Sequence, residues 1–416
     1  MKKIQKQFKE TIIFIDQIIV SGSNFLLSII ILRYLGIKVF GLFSFLWLFV
    51  LLINSIQNSY IISPMLTNAP KQDMSKINYF YGGILCQQIL FSFIIFFLIN
   101  VIGKNYNSYF FFEEIKNYVL PFSLIVLITQ FHQFFRRILF SKSLNIRATI
   151  CDFVTYLFLI LIIVILNYIN KFNLETLLYS FVFSFLFGTL FTFSIIFSLN
   201  FNFKETKKSI IENWIIGKWL LATSLLQWFS GNLWIINTGI ILGPYTLGIV
   251  RACQTLLNFT NVIFQSFENY VPGSVSEKYK SGGIKEMQKY IKDFTIKYSI
   301  LIILTVFLVS ILSKFLLSVF YGLETANYYK ILIFLSFLVP IYFLQYGLNY
   351  GLRTLSKTKP IFISYVFAAF FSLVTSKFII TNYKVDGLIF GLYITQIIII
   401  SILYLRYHQI IKKNKG

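Results

Sequence analysis

Apolar residues run along this chain in long blocks, separated by short polar stretches. The blocks lie near 11–33, 40–62, 79–101, 117–140, 148–168, 175–199, 214–241, 245–271, 294–320, 328–350, 359–380 and 386–407. A helix rises about 1.5 Å per residue, so about 20 residues cross the roughly 30 Å of bilayer hydrocarbon. The pattern predicts an all-α integral membrane protein with 12 transmembrane helices. Pro121, Pro272 and Pro340 fall within or beside these spans, where lipid-embedded helices tolerate them.

Polar residues interrupt some blocks at helical intervals. In the eighth, Arg251, Gln254, Asn258, Asn261, Gln265 and Glu268 recur at spacings of 3, 4, 3, 4 and 3. That spacing places them on one helix face. In the seventh, Thr223, Gln227, Ser230, Trp234 and Asn237 follow the same rhythm, and in the first so do Gln17, Ser21, Asn24 and Ser28. Asp16 adjoins that last stripe, and Asn54, Gln57 and Asn58 share a side of the second block. Small hydroxyls often only bind helices together. Six polar positions down one face of the eighth block predict a water-filled cavity instead.

An internal repeat pairs these stripes. LGIKVFG at 35–41 and LGPYTLG at 242–248 are offset by 207 residues. Gln57 precedes Pro64 as Gln265 precedes Pro272, at an offset of 208, half of the 416-residue chain. The expected organisation is two six-helix lobes, 1–208 and 209–416. Parallel repeats of this kind share an axis along the membrane normal, with the substrate path between them.

Composition supports the membrane reading. The chain is 57% hydrophobic and 12% charged, with a mean hydropathy of +0.75. Soluble domains average about 25% charged residues. The net charge of +22 does not indicate nucleic acid, because the basic residues sit in short clusters between apolar runs. With twelve spans, 27 of the 37 Lys and Arg fall on the side holding both termini and 9 on the other, with Arg251 inside a span. The positive-inside rule makes the richer side cytoplasmic. The start MKKIQKQFKETIIFIDQIIV reads as a retained first span, since Asp16 and Gln17 interrupt the run and no small-residue cleavage site follows.

Enzyme chemistry has little material here. There are two histidines, no HExxH and no GxxxxGK[ST] loop, and Cys86, Cys151 and Cys253 show no metal-type spacing. No cofactor and no metal site are expected.

The stretches LRYLGIKVFGLFSF and LGPYTLGIVRACQTLLNFTNVIFQSFENYVP resemble the Wzx-type bacterial polysaccharide flippases. These belong to the superfamily of the multidrug and toxic-compound extruders (MATE) and the lipid II flippases. The likeness covers the whole chain in length, span count and 6+6 layout. Leu32 stands where the family usually has alanine, and Phe259 where proline often follows. The resemblance implies a V-shaped central cavity between two lobes, opening alternately to each side of the bacterial inner membrane. It implies a substrate, an undecaprenyl-diphosphate-linked oligosaccharide repeat unit for O-antigen or capsule. Membrane lipids, a coupling ion (proton or sodium) and other polysaccharide-assembly membrane proteins are the implied partners.

The residues fit that substrate. Sugars need neutral donors and acceptors, which Gln and Asn supply, and a diphosphate needs a cation that binds in a fork. Arg251, about two turns inside the eighth span, is placed for the diphosphate or for snorkelling to outer headgroups. Gln254, Asn258, Asn261, Gln265, Gln227, Asn237, Asn24, Asn54, Gln57 and Asn58 are the expected sugar-facing residues. Asp16 fits ion coupling, a salt bridge or a helix cap. Glu268 and Asp152 read as charges near cytoplasmic helix ends, and Arg136 and Arg137 as topology signals or as a greeting for incoming diphosphate. A multidrug extruder on the same scaffold is the first alternative, though cationic drugs favour a carboxylate-rich cavity. A polysaccharide polymerase or ligase is the second, though such enzymes carry a large external loop that this chain lacks. A lipid II flippase typically has two further helices.

Overall fold

The computed structural model describes residues 2–73, 75–105 and 112–413. These are helical almost throughout: α1 (Lys2–Gln57), α2 (Ser63–Asn68), α3 (Ile77–Asn105), α4 (Phe112–Lys116), α5 (Val119–Ser141), α6 (Asn145–Tyr168), α7 (Leu174–Leu190), α8 (Phe203–Leu257), α9 (Phe259–Tyr321), α10 (Leu323–Ala326), α11 (Tyr329–Ser336), α12 (Leu338–Thr354) and α13 (Lys359–Lys413). Lipid offers no hydrogen bonds, so a crossing backbone must satisfy its own N–H and C=O groups, and helices do this within one segment. Among the described residues, nine helical stretches are long and apolar enough to cross a membrane. The protein is therefore a multi-pass membrane protein.

Four of those stretches run to 54 residues or more, at Ile15–Lys71, Phe203–Leu257, Phe259–Tyr321 and Lys359–Lys412. At about 1.5 Å per residue each is more than twice the thickness of the hydrocarbon core. Each contains a break in helical geometry: at Gly36, at Gly243, at Gly282 and Gly283, and at Lys384. A further break comes at Asn58–Ile62, where the chain forms a π-turn just before Pro64. Proline removes an N–H and crowds the carbonyl four residues back, and a wider turn relieves both.

The two halves repeat one set of backbone devices. Gly36 has φ 83°, ψ 169° and Gly243 has φ 85°, ψ 170°, at the offset of the LG motifs. This region is open almost only to glycine. α5 ends with Ser143 left-handed, Ser143 N–H bonding Phe140 O and Leu144 N–H bonding Leu139 O. α12 ends the same way, with Ser356 left-handed, Ser356 N–H on Arg353 O and Lys357 N–H on Leu352 O. These are Schellman caps, which return orphan carbonyls to bonding.

Contacts divide the chain into two compact units, Met1–Leu225 and Leu226–Gly416. In unit 1, Ile61, Met65, Tyr81, Ile84, Phe134 and Ile138 form a core. In unit 2 the core is aromatic: Phe267 of α9 packs edge-on to Phe294 and beside Phe343 of α12. The outer surface is as apolar as the core. On α9, Ile300, Ile303, Phe307, Ile311 and Phe315 are exposed along one face, while Ile302, Val306, Val309 and Leu317 are buried along the other. A helix greasy on both faces is one whose solvent is lipid.

Gly36→Ala and Gly243→Ala should each lower stability by about 1–3 kcal/mol through backbone strain. No atom lies within 4 Å of a Cβ at either position, so steric clash is excluded as the cause. Gly22 and Gly273 have the same empty surroundings without the positive φ. Alanine there should be neutral or stabilising, as in any helix. Thermal unfolding of the four purified variants in detergent checks this, and equal behaviour of all four would contradict it.

Candidate functional site

Unit 2 contains a cavity of about 290 Å³ at the junction of α8 and α9, with one polar wall and apolar side chains around the rest. Arg251 and Gln254 enter it from the end of α8, Asn258 from the junction, and Asn261 from the first turn of α9. Asn232 comes from earlier in α8 and Tyr342 from α12. The α8–α9 junction is tight, with Asn258 N–H on Thr255 O and Asn261 N–H on Asn258 O, each a bond across three residues. Such 3₁₀-like turns inside a helix often mark a working position.

Arg251 Nη1 donates to Gln254 Oε1 at 3.0 Å, and Asn261 Nδ2 donates to Asn258 Oδ1 at 3.2 Å. Arg251 Nε is buried without a hydrogen-bond partner, and no carboxylate pairs with this guanidinium among the described residues. A buried charged donor left unpaired is costly, and an anion in the cavity removes that cost. Unit 1 has a larger cavity of about 380 Å³, but its walls are Phe, Leu, Ile and Val side chains with Lys116 as their one charged group. It offers an oligosaccharide almost nothing to bond.

The other expected residues go elsewhere. Gln265 is exposed outside the cavity lining, and Glu268 pairs with Arg353 of α12. Gln227 is exposed, while Asn237 Nδ2 donates to Ser376 Oγ of α13 at 2.6 Å. Trp234 leaves the stripe altogether: it is fully buried, its Nε1 bonded to Ser372 and Thr395. In unit 1, Asn24 donates to the Tyr156 hydroxyl at 3.4 Å, Asn54 is half-buried and Asn58 exposed. Gln57 corrects the expectation of a wet face. It is fully buried, and its Nε2 donates to Gln88 Oε1 at 2.9 Å and Gln130 O at 2.7 Å. Gln88 continues to Ser92, and Ser92 to Gln130 Oε1. An amide in apolar surroundings finds partners on neighbouring helices.

The second polar site is charged, and its pairing is invisible in the sequence. Arg136 of α5 donates to Asp16 of α1 through Nη2 and is ion-paired with Asp152 of α6 through Nε. All three are at most 5% exposed. Asp152 and Arg136 are thus not solvated end charges, and Asp16 is salt-bridged. His132 lies beside them, with Nε2 at 3.7 Å from Asp152 Oδ1, 3.1 Å from Thr155 Oγ1 and 3.4 Å from Cys151 Sγ. Gly188 of α7 presses against Thr155 where no side chain would fit, which draws α6 and α7 together around the cluster. Asn232, His132 and Arg136 are the residues that stripe reading missed. Asn232 is out of register with its stripe, and the charged partners are separated by 120 positions.

The MatE family model matches residues 220–377 of the chain. No curated protein matches its sequence. Among solved structures, the lipid II flippase MurJ in an inward closed conformation superposes with a TM-score of 0.71 at 14% identity, over 96% of this chain and 87% of that one. An inward-facing multidrug resistance MATE family transporter of the MOP superfamily gives 0.71 at 12% identity, over 97% and 96%. The MATE transporter VcmN of Vibrio cholerae gives 0.65 at 12% identity, over 99% and 98%. The chain has the fold of these MOP-superfamily transporters.

Removing only the cation from the buried triad leaves two carboxylates uncompensated. Arg136→Met should therefore cost about 3–5 kcal/mol, the usual penalty for breaking a buried pair from one side. Adding Asp16→Asn and Asp152→Asn to that variant should recover much of the loss. Folded yield by fluorescence size-exclusion chromatography reports both effects, and a triple variant no better than Arg136→Met would refute the compensation.

Proposed function

We propose that this protein is a flippase that moves an undecaprenyl-diphosphate-linked oligosaccharide repeat unit across the bacterial inner membrane by alternating access, for assembly of a surface polysaccharide. The observation that carries the proposal is Arg251: a guanidinium with a buried, unpartnered Nε, heading a cavity whose other polar side chains are uncharged amides and the hydroxyls of Thr260 and Tyr342. A diphosphate suits the guanidinium fork, and hydrated sugars suit Gln254, Asn258, Asn261 and Asn232. MurJ, whose fold the chain shares, is named a flippase for lipid II. The multidrug reading draws on the MATE structures, but the cavity presents a cation and no carboxylate among its lining residues, which disfavours cationic drugs.

The reading includes twelve spans in two six-helix lobes, 1–208 and 209–416. Divided at Gly36, Gly243, Gly282–Gly283 and Lys384, the nine stretches become thirteen pieces. Taking the short pieces 244–257 and 259–281, which meet at Asn258, as one span gives twelve, and the repeated Gly36 and Gly243 geometry supports duplication. Both termini are cytoplasmic in this arrangement. Asp16 is the proposed coupling group: it shares Arg136 with Asp152, so protonating it or binding sodium would loosen α1 from α5.

Arg251→Ala should abolish export of surface polysaccharide at normal membrane abundance. Arg251→Lys should keep part of it, because charge survives but fork geometry is lost. Immunoblotting of surface polysaccharide with quantitation of lipid-linked intermediates reads both. Full export by Arg251→Ala would exclude the substrate role and leave the arginine as an interfacial anchor.

Orientation is tested separately. An impermeant thiol reagent added to intact cells, with the outer membrane permeabilised, should label Lys38→Cys and Lys384→Cys but not Lys285→Cys. The reverse pattern would overturn the cytoplasmic placement of the termini.

A further inference from the structure

We propose that His132, Cys151 and Asp152 form a structural binding site for a thiophilic divalent cation, of which zinc is the type, inside unit 1. This inference does not depend on the transport reading. The three residues offer a nitrogen, a sulfur and a carboxylate oxygen that all lie within 4.8 Å of one another, and all three residues are buried. Tetrahedral zinc with bonds of about 2.0–2.3 Å holds its ligand atoms roughly 3.3–3.7 Å apart. His132 Nε2 stands 3.4 Å from Cys151 Sγ and 3.7 Å from Asp152 Oδ1. The 3.7 Å separation is too long for a hydrogen bond, while the 3.4 Å contact fits both a thiol hydrogen bond and a shared metal ion. Cys151 Sγ also donates to Gly188 O at 3.1 Å, a bond that the thiolate gives up on binding metal. The Thr155 hydroxyl stands 3.1 Å from His132 Nε2 and donates to Cys151 O at 2.7 Å.

Charge points the same way. By ion pairs, the buried Asp16 and Asp152 share the single guanidinium of Arg136. Arg137, the next residue of α5, is half-buried and feels both carboxylates, but it forms no close ion pair with them among the described residues. A divalent cation with a Cys151 thiolate brings Asp16, Asp152, Arg136 and Cys151 to neutrality. Asp152 would then bridge, Oδ1 to the metal and Oδ2 to Arg136, and the guanidinium would hold that carboxylate in its binding orientation. The cation joins α5 to α6 beside the point where Arg136 joins α5 to α1. The thiol gives up its proton on binding, so affinity falls as pH falls.

The test uses full-length protein purified in detergent, stripped with chelator and titrated with cobalt(II). Wild type should bind one equivalent and develop a thiolate-to-cobalt charge-transfer band with tetrahedral d–d bands. The Cys86→Ser/Cys253→Ser variant should behave alike, since Cys151 is then the only thiol. Cys151→Ser should lose the charge-transfer band. Zinc should raise the melting temperature of the double variant and leave that of Cys151→Ser unchanged. Absence of the band from the double variant overturns the site even where Cys151→Ser fails to fold, and so does a band that survives in Cys151→Ser.

Discussion

A charged group that cannot reach water must be matched by the protein, and in unit 1 that constraint falls on Arg136. Its two carboxylate partners come from α1 and α6, so one side chain of α5 fixes three helices at once. Hydrophobic attraction does not align helices in lipid, since the alternative solvent is equally apolar. Packing and polar pairing carry that burden. The Gln57–Gln88–Ser92–Gln130 chain performs the same task on α1, α3 and α5 without charge. Asp16 therefore cannot be moved without disturbing the joint that positions its own helix.

Unit 2 solves the same problem differently. Trp234 is buried by giving its N–H to Ser372 and Thr395, and Asn237 is answered by Ser376. Nothing charged is needed to hold α8 against α13. Arg251 is left without a carboxylate among the described residues: its Nη1 bonds Gln254, and its buried Nε has no hydrogen-bond partner. Native structures rarely leave such a group unanswered without a reason. One arginine is locked by two aspartates and the other faces amides, although both sit on membrane helices; the proposed binding role rests on that contrast.

The helices were legible in the sequence because hydrocarbon thickness imposes a minimum apolar length, and the glycine turns because LGIKVFG and LGPYTLG repeat. Stripe spacing gave the face of each residue but not what lies opposite. Arg251, Gln254, Asn258 and Asn261 do meet in one cavity, while Gln57 and Trp234, read by the same rule, are packed between helices. A 3.6-residue rhythm cannot tell a wet face from a glued one, because both need polar atoms on one side. The pairing of Asp16 with Arg136 depends on how α1 and α5 pack, and no local pattern encodes it. Likewise Cys151 and Asp152 are adjacent in sequence, but the histidine that makes them a metal-type set comes from the preceding helix.

Cavity size sets the last constraint. At about 290 Å³ it lies at the lower edge of ordinary ligand pockets, which run to roughly 1,000 Å³. A diphosphate and part of a sugar fit that space; a whole repeat unit does not. In the proposed role, recognition would then rest on the group common to all polyprenyl-diphosphate carriers, and only the sugars nearest the diphosphate would be read. The neutral amides suit that division. Each contributes a modest net hydrogen bond of about 0.5–1.5 kcal/mol, so no single sugar contact governs binding, whereas a charge-assisted pair to Arg251 contributes about 1.5–3. Such a site tolerates variation in the glycan and not in its anchor. A flippase must also release what it binds on the far side, and weak sugar contacts beneath one strong headgroup contact allow release once that single interaction is broken.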